Sequence, residues 1–398
     1  MLFEALTLQL GYNATLVTIG AALLGITAGA VGTFLYVGKR ALVSDAISHA
    51  TLPGIGLAFI AMVMLGGDGR SLPWLLIGSA LSAWVGLLCV SWLTHRTRLT
   101  EDAAIGAVLS VFFGAGIVLL TVIQSMRAGR QAGLEDFLLG STAGMLWNDA
   151  VILAVGGAIV LALVLVLHRP MALVAFDPDY ATATGTNVRR TELAMMGLAL
   201  AITVVGLKVV GLILIVALLI IPAVAARFWS DRVERVVLIA GGIGGVSGYA
   251  GAAMSASAPD LPTGPIIVLM AFGIFVLSLL FAPDRGVLAV FLRHRRFQAR
   301  VHVRQGLLAL AQGQPIYERL TLRLMRRAGL IRADGVATET GKAQAARALL
   351  DERRWEILRA DPRHEWAAAR YDGLTPLERV LTPDQLVELD RSLGPEGV

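Results

Sequence analysis

The sequence predicts an all-α polytopic membrane protein with about 8–9 transmembrane helices, followed by a small cytosolic, mainly α, winged-helix-like domain. Three observations lead to this fold class. Of the 398 residues, 56% are hydrophobic and only 16% are charged, against about 25% charged in ordinary soluble domains. Glycine is abundant, with 43 residues, and small residues let membrane helices approach closely. The charges, finally, are concentrated near the C-terminus.

The charge distribution divides the chain into two parts. Residues 1–284 contain 14 Lys and Arg and 15 Asp and Glu, whereas residues 285–398 contain 20 and 14. We therefore expect a transmembrane domain over 1–284. The charged remainder, 285–398, is long enough to form a small domain of its own.

Nine apolar segments approach the length needed to cross a bilayer, about 20 residues. The sixth and seventh are separated only by Gly206-Leu207-Lys208, so one long broken helix is the alternative there. Glycine pairs at a spacing of four, such as Gly25 with Gly29 and Gly241 with Gly245, predict close helix contacts. The segments are 13–37, 44–66, 73–94, 101–124, 148–168, 191–206, 209–227, 233–256 and 262–283.

Basic residues in the loops predict the orientation, because cytoplasmic loops are enriched in Lys and Arg. With nine spans and the N-terminus outside, ten basic residues fall in inner loops and four in outer loops. The C-terminal domain is then cytosolic. The ten are Lys39, Arg40, Arg96, Arg98, Arg169, Arg189, Arg190, Arg227, Arg232 and Arg235, and the four are Arg70, Arg127, Arg130 and Lys208.

Several kinds of site are excluded by the residues present. A single cysteine, Cys89, allows no intrachain disulfide and no multi-cysteine zinc site. The chain has no Walker A motif, so we expect no nucleotide site. The first segment lacks the features of a cleavable signal peptide. The Gly-punctuated stretch 131–147 is typical of a re-entrant or interfacial helix, with a plain outer loop as the alternative.

Asp45 and His49 are the strongest candidates for chemistry inside the membrane. They are four residues apart in the second segment, so both project from one helix face. A carboxylate with an imidazole suits manganese, zinc or iron better than calcium or magnesium. The alternative is structural, with Asp45 as a helix cap or as the hydrogen-bond partner of His49.

Five motifs, in order along the chain, resemble those of the membrane subunits of metal-type ABC importers, the manganese/zinc/iron permease family. They are ALVSDAISHATLPGIGLAF at 41–59, LEDFLLGSTAGM at 134–145, AFDPDYATATG at 175–185, KVVGLILIVALLIIPAVAARFWSDR at 208–232 and SAPDLPTGPIIVL at 257–269.

This resemblance implies a transport subunit rather than an enzyme, in a bacterial-type cytoplasmic (inner) membrane. Asp45 and His49 would bind the transported divalent ion, manganese, zinc or iron, with no permanently bound cofactor. The implied partners are a second permease, most simply as a homodimer, two cytosolic ABC ATPase subunits that hydrolyse ATP, and an extracytoplasmic metal-binding solute receptor.

The loop that contains Asp177, Pro178, Asp179 and Tyr180 is predicted to contact the ATPase. Asp before Pro, with a further acid in the first turn, favours a helix start, and a short amphipathic helix on the inner side fits a groove on a partner. The resemblance implies the same coupling role. A plain surface loop is the alternative.

The C-terminal part has the element order of a winged helix: helices over 293–311 and 315–328, an Asp334-Gly335 hairpin, and a helix over 338–360. It resembles the iron-dependent (diphtheria toxin-type) repressors, but the metal-ligand positions of that family hold Trp355, Arg359, Ala368 and Tyr371. We therefore expect neither metal sensing nor a specific nucleic-acid partner. A membrane-bound metal-responsive regulator that uses this domain is the alternative function.

Overall fold

A computed structural model describes residues 2–9, 11–67, 71–126, 145, 147–257, 261–360, 366, 369 and 372–393. The chain separates into two compact units, Met1–Val287 and Leu288–Val398. The predicted re-entrant stretch lies almost entirely outside the described residues, as do Ala368 and Tyr371.

The membrane unit is helical throughout most of its described residues. Within them, eight helices are long and apolar enough to cross a bilayer. The helices of this unit are α1 (Leu2–Leu6), α2 (Tyr12–Val37), α3 (Ala41–Met64), α4 (Leu72–Arg96), α5 (Glu101–Ser125), α6 (Trp147–Phe176), α7 (Pro178–Ala183), α8 (Val188–Arg227), α9 (Val233–Ala256) and α10 (Thr263–Phe281).

Helices α2 and α9 form an antiparallel pair at the centre of this unit. A Cβ on Gly25 would meet the backbone carbonyl of Gly244, and one on Gly29 would meet that of Ala240. The backbones are therefore in direct contact, which only glycine permits at Gly25. The glycine spacing predicted this kind of contact, although the backbone carbonyls that α2 meets are those of Ala240 and Gly244 rather than those of Gly241 and Gly245.

Helix α8 is broken at Gly211, whose φ of 76° and ψ of 172° are not helical. A Cβ on Gly206 would lie 3.0 Å from Cδ1 of Ile215, whereas nine residues of straight helix span about 13.5 Å. The chain thus turns sharply at Gly211. The two arms of α8 are Val188–Leu207 and Leu214–Arg227.

Both ends of α8 lie at the same end of the helix bundle. Glu192, near its start, pairs with Arg40, which follows α2. Asp231, just after its end, precedes α9, whose first half packs against the second half of α2. We call this end of the bundle the Arg40 end. The predicted seventh span, over 209–227, is shorter than expected, because the 14 residues of the second arm reach only about 21 Å. It still returns the chain to the side from which α8 started.

The C-terminal unit contains α11 (Val287–Ala311), α12 (Arg319–Arg327), α13 (Glu339–Ala360), a 3₁₀ turn (Leu377–Arg379) and α14 (Pro383–Leu393). A single antiparallel bridge, within the described residues, joins Ile331 to Ala337 around the Asp334-Gly335 turn. The order of these elements, which is two helices, a turn and a third helix, is the predicted one. Two bounds differ by more than one residue, because α11 begins six residues earlier than 293 and α12 begins four residues later than 315.

Two small cores stabilise this unit. Met325, Leu330 and Ile331 pack against Val303 and other apolar residues of α11. In the second core, Asp351 accepts a 2.9 Å hydrogen bond from the backbone N–H of Leu377, and burial raises the pKa of this carboxyl. Trp355 is completely buried there, among Leu358, Leu377, Leu381 and Leu389.

Candidate metal site

Asp45 and His49 lie in the first turns of α3, near the Arg40 end. Most of this part of the helix is buried: Ser44, Ser48 and Thr51 are inaccessible and hydrogen-bond to carbonyls within the helix. The side chains of Asp45 and His49 are instead 41% and 26% exposed. The two candidate ligands therefore occupy a strip on the outside of the subunit.

The distance between Asp45 Oδ1 and His49 Nε2 is 3.4 Å, which is long for a hydrogen bond between these groups. An ordinary bond length for zinc with either donor is about 2.1 Å. An ion placed at that distance from both atoms would have a ligand–ion–ligand angle of about 108°. This angle is close to tetrahedral. The pair thus has the spacing of two ligands on one ion as well as that of a loose ion pair.

The ring of His49 is held from the side by α5. Phe113 meets it edge to face, with the ring centroids 4.9 Å apart and an interplanar angle of 81°. The Nδ1 atom of His49 is buried and has no hydrogen-bond partner among the described residues. Phe113 thus restricts the orientation of the ring, a role that its position in a plain apolar run gave no means of predicting.

One chain supplies too few donors for a complete site. No group of three or more His, Cys, Asp or Glu side chains comes together among the described residues, and a transition-metal site needs about four ligands. Asp45 and His49 would have to be completed by another molecule. Their exposure on an otherwise buried stretch of helix leaves room for one.

The predicted coupling segment forms the short helix α7. Asp177 is its N-cap and accepts a 2.9 Å hydrogen bond from the N–H of Tyr180, while Pro178 occupies the first turn. Ala181 is buried, whereas Asp179 and Tyr180 are exposed. The predicted local structure is present, and its exposed face is available for a partner.

A three-residue ion-pair network joins these two regions, and the sequence identified its central residue only as a loop charge. Arg40 lies at the N-terminus of α3. Its Nε is 3.2 Å from Oε1 of Glu101, at the start of α5. Its Nη2 donates to Oε1 of Glu192, near the start of α8, at 2.8 Å. Since α8 follows α7 directly, Arg40 connects the helix carrying Asp45 to the element next to α7.

Comparison with known proteins places the membrane unit in one family. Residues 12–282 match the ABC 3 transport family. The manganese transport system membrane protein MntC of Bacillus subtilis (strain 168) is 40% identical over 310 residues, which are 78% of this chain and 70% of that protein. The zinc transport system membrane protein TroC of Treponema pallidum (strain Nichols) is 39% identical over 285 residues, 72% of this chain and 94% of that protein.

A solved structure agrees with these sequence relatives. PsaBC from Streptococcus pneumoniae, determined in complex with a Fab, superposes with a TM-score of 0.63 at 29% identity, covering 73% of this chain and 99% of that chain. The match covers most of the present chain, and the family match covers nearly all of its membrane unit. The chain therefore belongs to the ABC 3 transport family.

Proposed function

We propose that this chain is the permease subunit of an ABC importer for divalent transition-metal ions, with manganese or zinc as the substrate. The observation that carries the proposal is the pair Asp45 and His49, held 3.4 Å apart and partly exposed on a stretch of helix that is otherwise buried. An exposed carboxylate inside a span is costly when it faces lipid. The pair therefore faces another subunit or a water-filled path.

A second copy of this chain is the simplest partner. If the α3 helices of two copies meet on a two-fold axis, residues that lie near the axis meet their own symmetry mates. Two Asp45 carboxylates and two His49 imidazoles then surround one ion. Nitrogen and oxygen donors together favour manganese, zinc or iron over calcium and magnesium, and the manganese and zinc relatives support the first two. The ion is the transported substrate, with no cofactor required in this chain.

The energy source is a cytosolic ABC ATPase, and an extracytoplasmic solute receptor supplies the ion. In this arrangement the N-terminus is outside, the Arg40 end is cytosolic, and the C-terminal unit lies in the cytosol. The return of α8 to the Arg40 end supports this orientation. With both arms of α8 counted, the described helices α2–α6 and α8–α10 cross the membrane an odd number of times, so the two ends of the membrane unit lie on opposite sides. The basic residues Arg40, Arg189, Arg227 and Arg285 also lie in the loops and helix ends on that side.

The exposed face of α7, with Asp177, Pro178, Asp179 and Tyr180, is proposed to dock on the ATPase. Movement of α7 would reach α8, and the ion pair of Glu192 with Arg40 would pass it to the start of α3. Asp45 lies five residues beyond Arg40. The ion pair is thus a short mechanical connection between the ATPase contact and the metal ligands.

The metal site is tested by uptake into cells whose own importers are deleted. Asp45→Asn and His49→Gln should each lower manganese or zinc uptake about tenfold or more, because each replaces a ligand in both halves of the site by a neutral amide, which is a weaker donor. Leu57→Ala is the matched control, since Leu57 is 57% exposed on the same helix. Uptake at the wild-type level in both ligand variants, at equal protein abundance, would refute the assignment.

The coupling path is tested in the same cells with two variants. Replacing Asp177, Pro178 and Asp179 by glycine removes the cap and the fixed first turn of α7, and should abolish co-purification of the ATPase. Arg40→Gln should leave the ATPase bound but reduce uptake, because only the connection to α3 is weakened. Normal ATPase binding by the glycine variant would place the contact elsewhere, and normal uptake by Arg40→Gln would exclude the connection.

A further inference from the structure

The first half of α11, residues 287–300, carries many large apolar side chains that are accessible to solvent. Twelve of its fourteen residues are exposed, the other two being alanines of intermediate exposure. Six of the exposed residues are large and apolar, each between 44% and 53% accessible: Val287, Leu288, Val290, Phe291, Leu292 and Phe297. The second half of the same helix differs, since Val303, Leu307 and Leu310 pack against the core of the C-terminal unit.

A helix of this length is marginal in water without a surface to pack against. Six large apolar side chains exposed on fourteen residues are also typical of a surface that contacts a membrane or another protein. We infer that another phase or molecule covers residues 287–300 in the native membrane.

The charges on this segment identify what covers it. It contains four arginines and one histidine and no acidic residue. At about 100° per residue, Arg293, Arg296 and Arg300 fall within an arc of about 60°, while the six apolar residues lie outside that arc. A basic strip beside a broad apolar face is the pattern of helices that lie in the membrane interface. Arg295 extends the basic character onto the apolar side, with its guanidinium 4.6 Å from the centroid of the Phe291 ring.

The position of the segment in the chain supports the same partner. The last span ends at Phe281, and α11 begins at Val287. Between them, Arg285 donates a 2.5 Å hydrogen bond to Asp231, which also pairs with Arg227 at 3.1 Å. The chain is thus fastened to the helix ends of the membrane unit immediately before α11 begins. The five residues between Phe281 and Val287 reach at most about 18 Å, and the polar headgroup layer is about 5–8 Å thick. The start of α11 is therefore within reach of the lipid headgroups.

We propose that residues 287–300 bind the anionic lipid surface of the cytosolic leaflet, with the apolar residues inserted among the acyl-chain ends and Arg293, Arg296 and Arg300 on lipid phosphates. The proposal depends on membrane insertion of the chain and on the orientation proposed above, but not on which ion is transported. Each arginine near an anionic surface contributes about fivefold in membrane affinity.

Nitroxide labels measure this directly in the full-length chain. Cys89→Ser removes the only native cysteine, after which Phe291→Cys places a label on the apolar face. Val336→Cys is the matched control, because Val336 is 52% exposed in the same unit, at the Asp334-Gly335 turn. The protein is reconstituted, without ATPase, into vesicles of phosphatidylcholine with about 30% phosphatidylglycerol, which gives them an anionic surface. Collision rates are then recorded with oxygen, which concentrates in lipid, and with a nickel chelate, which stays in water.

We expect the ratio of oxygen to nickel collisions to be several-fold higher at 291 than at 336. Changing Arg293, Arg296 and Arg300 together to glutamine should reduce that ratio, as should vesicles of phosphatidylcholine alone. High nickel collisions at 291 would mean that the segment is in water, and low collisions with both reagents would mean that protein covers it. Either result overturns the proposal, and neither bears on uptake through Asp45 and His49.

Discussion

The two units of this protein are stabilised by different kinds of contact, backbone against backbone in the membrane unit and side chain against side chain in the C-terminal unit. In the membrane unit the backbones of α2 and α9 touch at Gly25 and Gly244, so stability depends on the absence of side chains. In the C-terminal unit, Trp355 fills the centre of a small core, so stability depends on one large side chain. The difference follows from the solvent. In lipid, burial of apolar surface gives little gain, and close packing replaces it. In water, removal of apolar area from solvent is the main driving force for folding.

The two units also differ in how they use metal-ligand positions. Asp45 and His49 keep both donors and remain partly exposed. In the C-terminal unit, two of the positions that resemble repressor ligands hold Trp355, which is buried among leucines, and Arg359, whose Nε approaches the carbonyl of Trp355 at 3.4 Å. At these two positions the side chains serve packing and hydrogen bonding within the unit.

The largest effect is expected in the C-terminal unit. Trp355→Ala leaves a cavity where a completely buried aromatic side chain stood, at a cost of about 3–5 kcal/mol in the free energy of unfolding. Hydrogen exchange of the amides in α13, followed by mass spectrometry on the full-length chain, should accelerate strongly. Val336→Ala, at an exposed position, is the control and should change little.

Uptake by the same variant tests whether the C-terminal unit takes part in transport. If the C-terminal unit is accessory to transport, uptake by Trp355→Ala should stay within about twofold of wild type at equal abundance, because sites that act independently interact by about 0.5 kcal/mol or less. A complete loss of uptake, with the membrane helices still protected from exchange, would instead make the C-terminal unit part of the transport machinery.

A smaller effect is expected in the membrane unit from Gly25→Ala. The added Cβ meets the backbone of Gly244, which cannot move aside as a flexible side chain would, so α2 and α9 must separate. Overpacking of this kind costs about 1–3 kcal/mol. The midpoint of thermal unfolding in detergent should fall. Gly273→Ala is the matched control, because a Cβ there has no atom within 4 Å, and alanine is the better helix former. Equal midpoints for the two variants would contradict the close packing of α2 on α9.

Much of this architecture could be predicted from composition and periodicity. The long apolar segments predicted the spans because a helix must satisfy its backbone hydrogen bonds internally in lipid. Asp177 and Pro178 predicted the start of α7, since capping is a local interaction of a few residues. The count around 209–227 was less reliable. Hydropathy measures apolar length, and it carries no information about the positive φ of Gly211 that folds the two arms of α8 together.

The candidate site shows the same division. The spacing of Asp45 and His49 predicted a shared helix face and the kind of ion that they suit. Their separation of 3.4 Å and their exposure depend on which sides of α3 are covered by neighbouring helices. The contact of Phe113 with His49, and the pairing of Arg40 with Glu101 and Glu192, join residues that are 64, 61 and 152 positions apart. No local pattern encodes such pairs.

The sequence by itself determined the fold class, the segments that enter the membrane, the helix that carries the candidate ligands and the family motifs. These properties follow from local rules: hydrophobic length, helical spacing, capping and the identity of donor atoms. Only the tertiary structure decided that α8 reverses at Gly211, that the pair of candidate ligands lies on the outside of the subunit, and that Arg40 connects α8 to α3. These properties depend on which distant segments pack together, because packing in a dense interior is settled by the shapes of all neighbours at once.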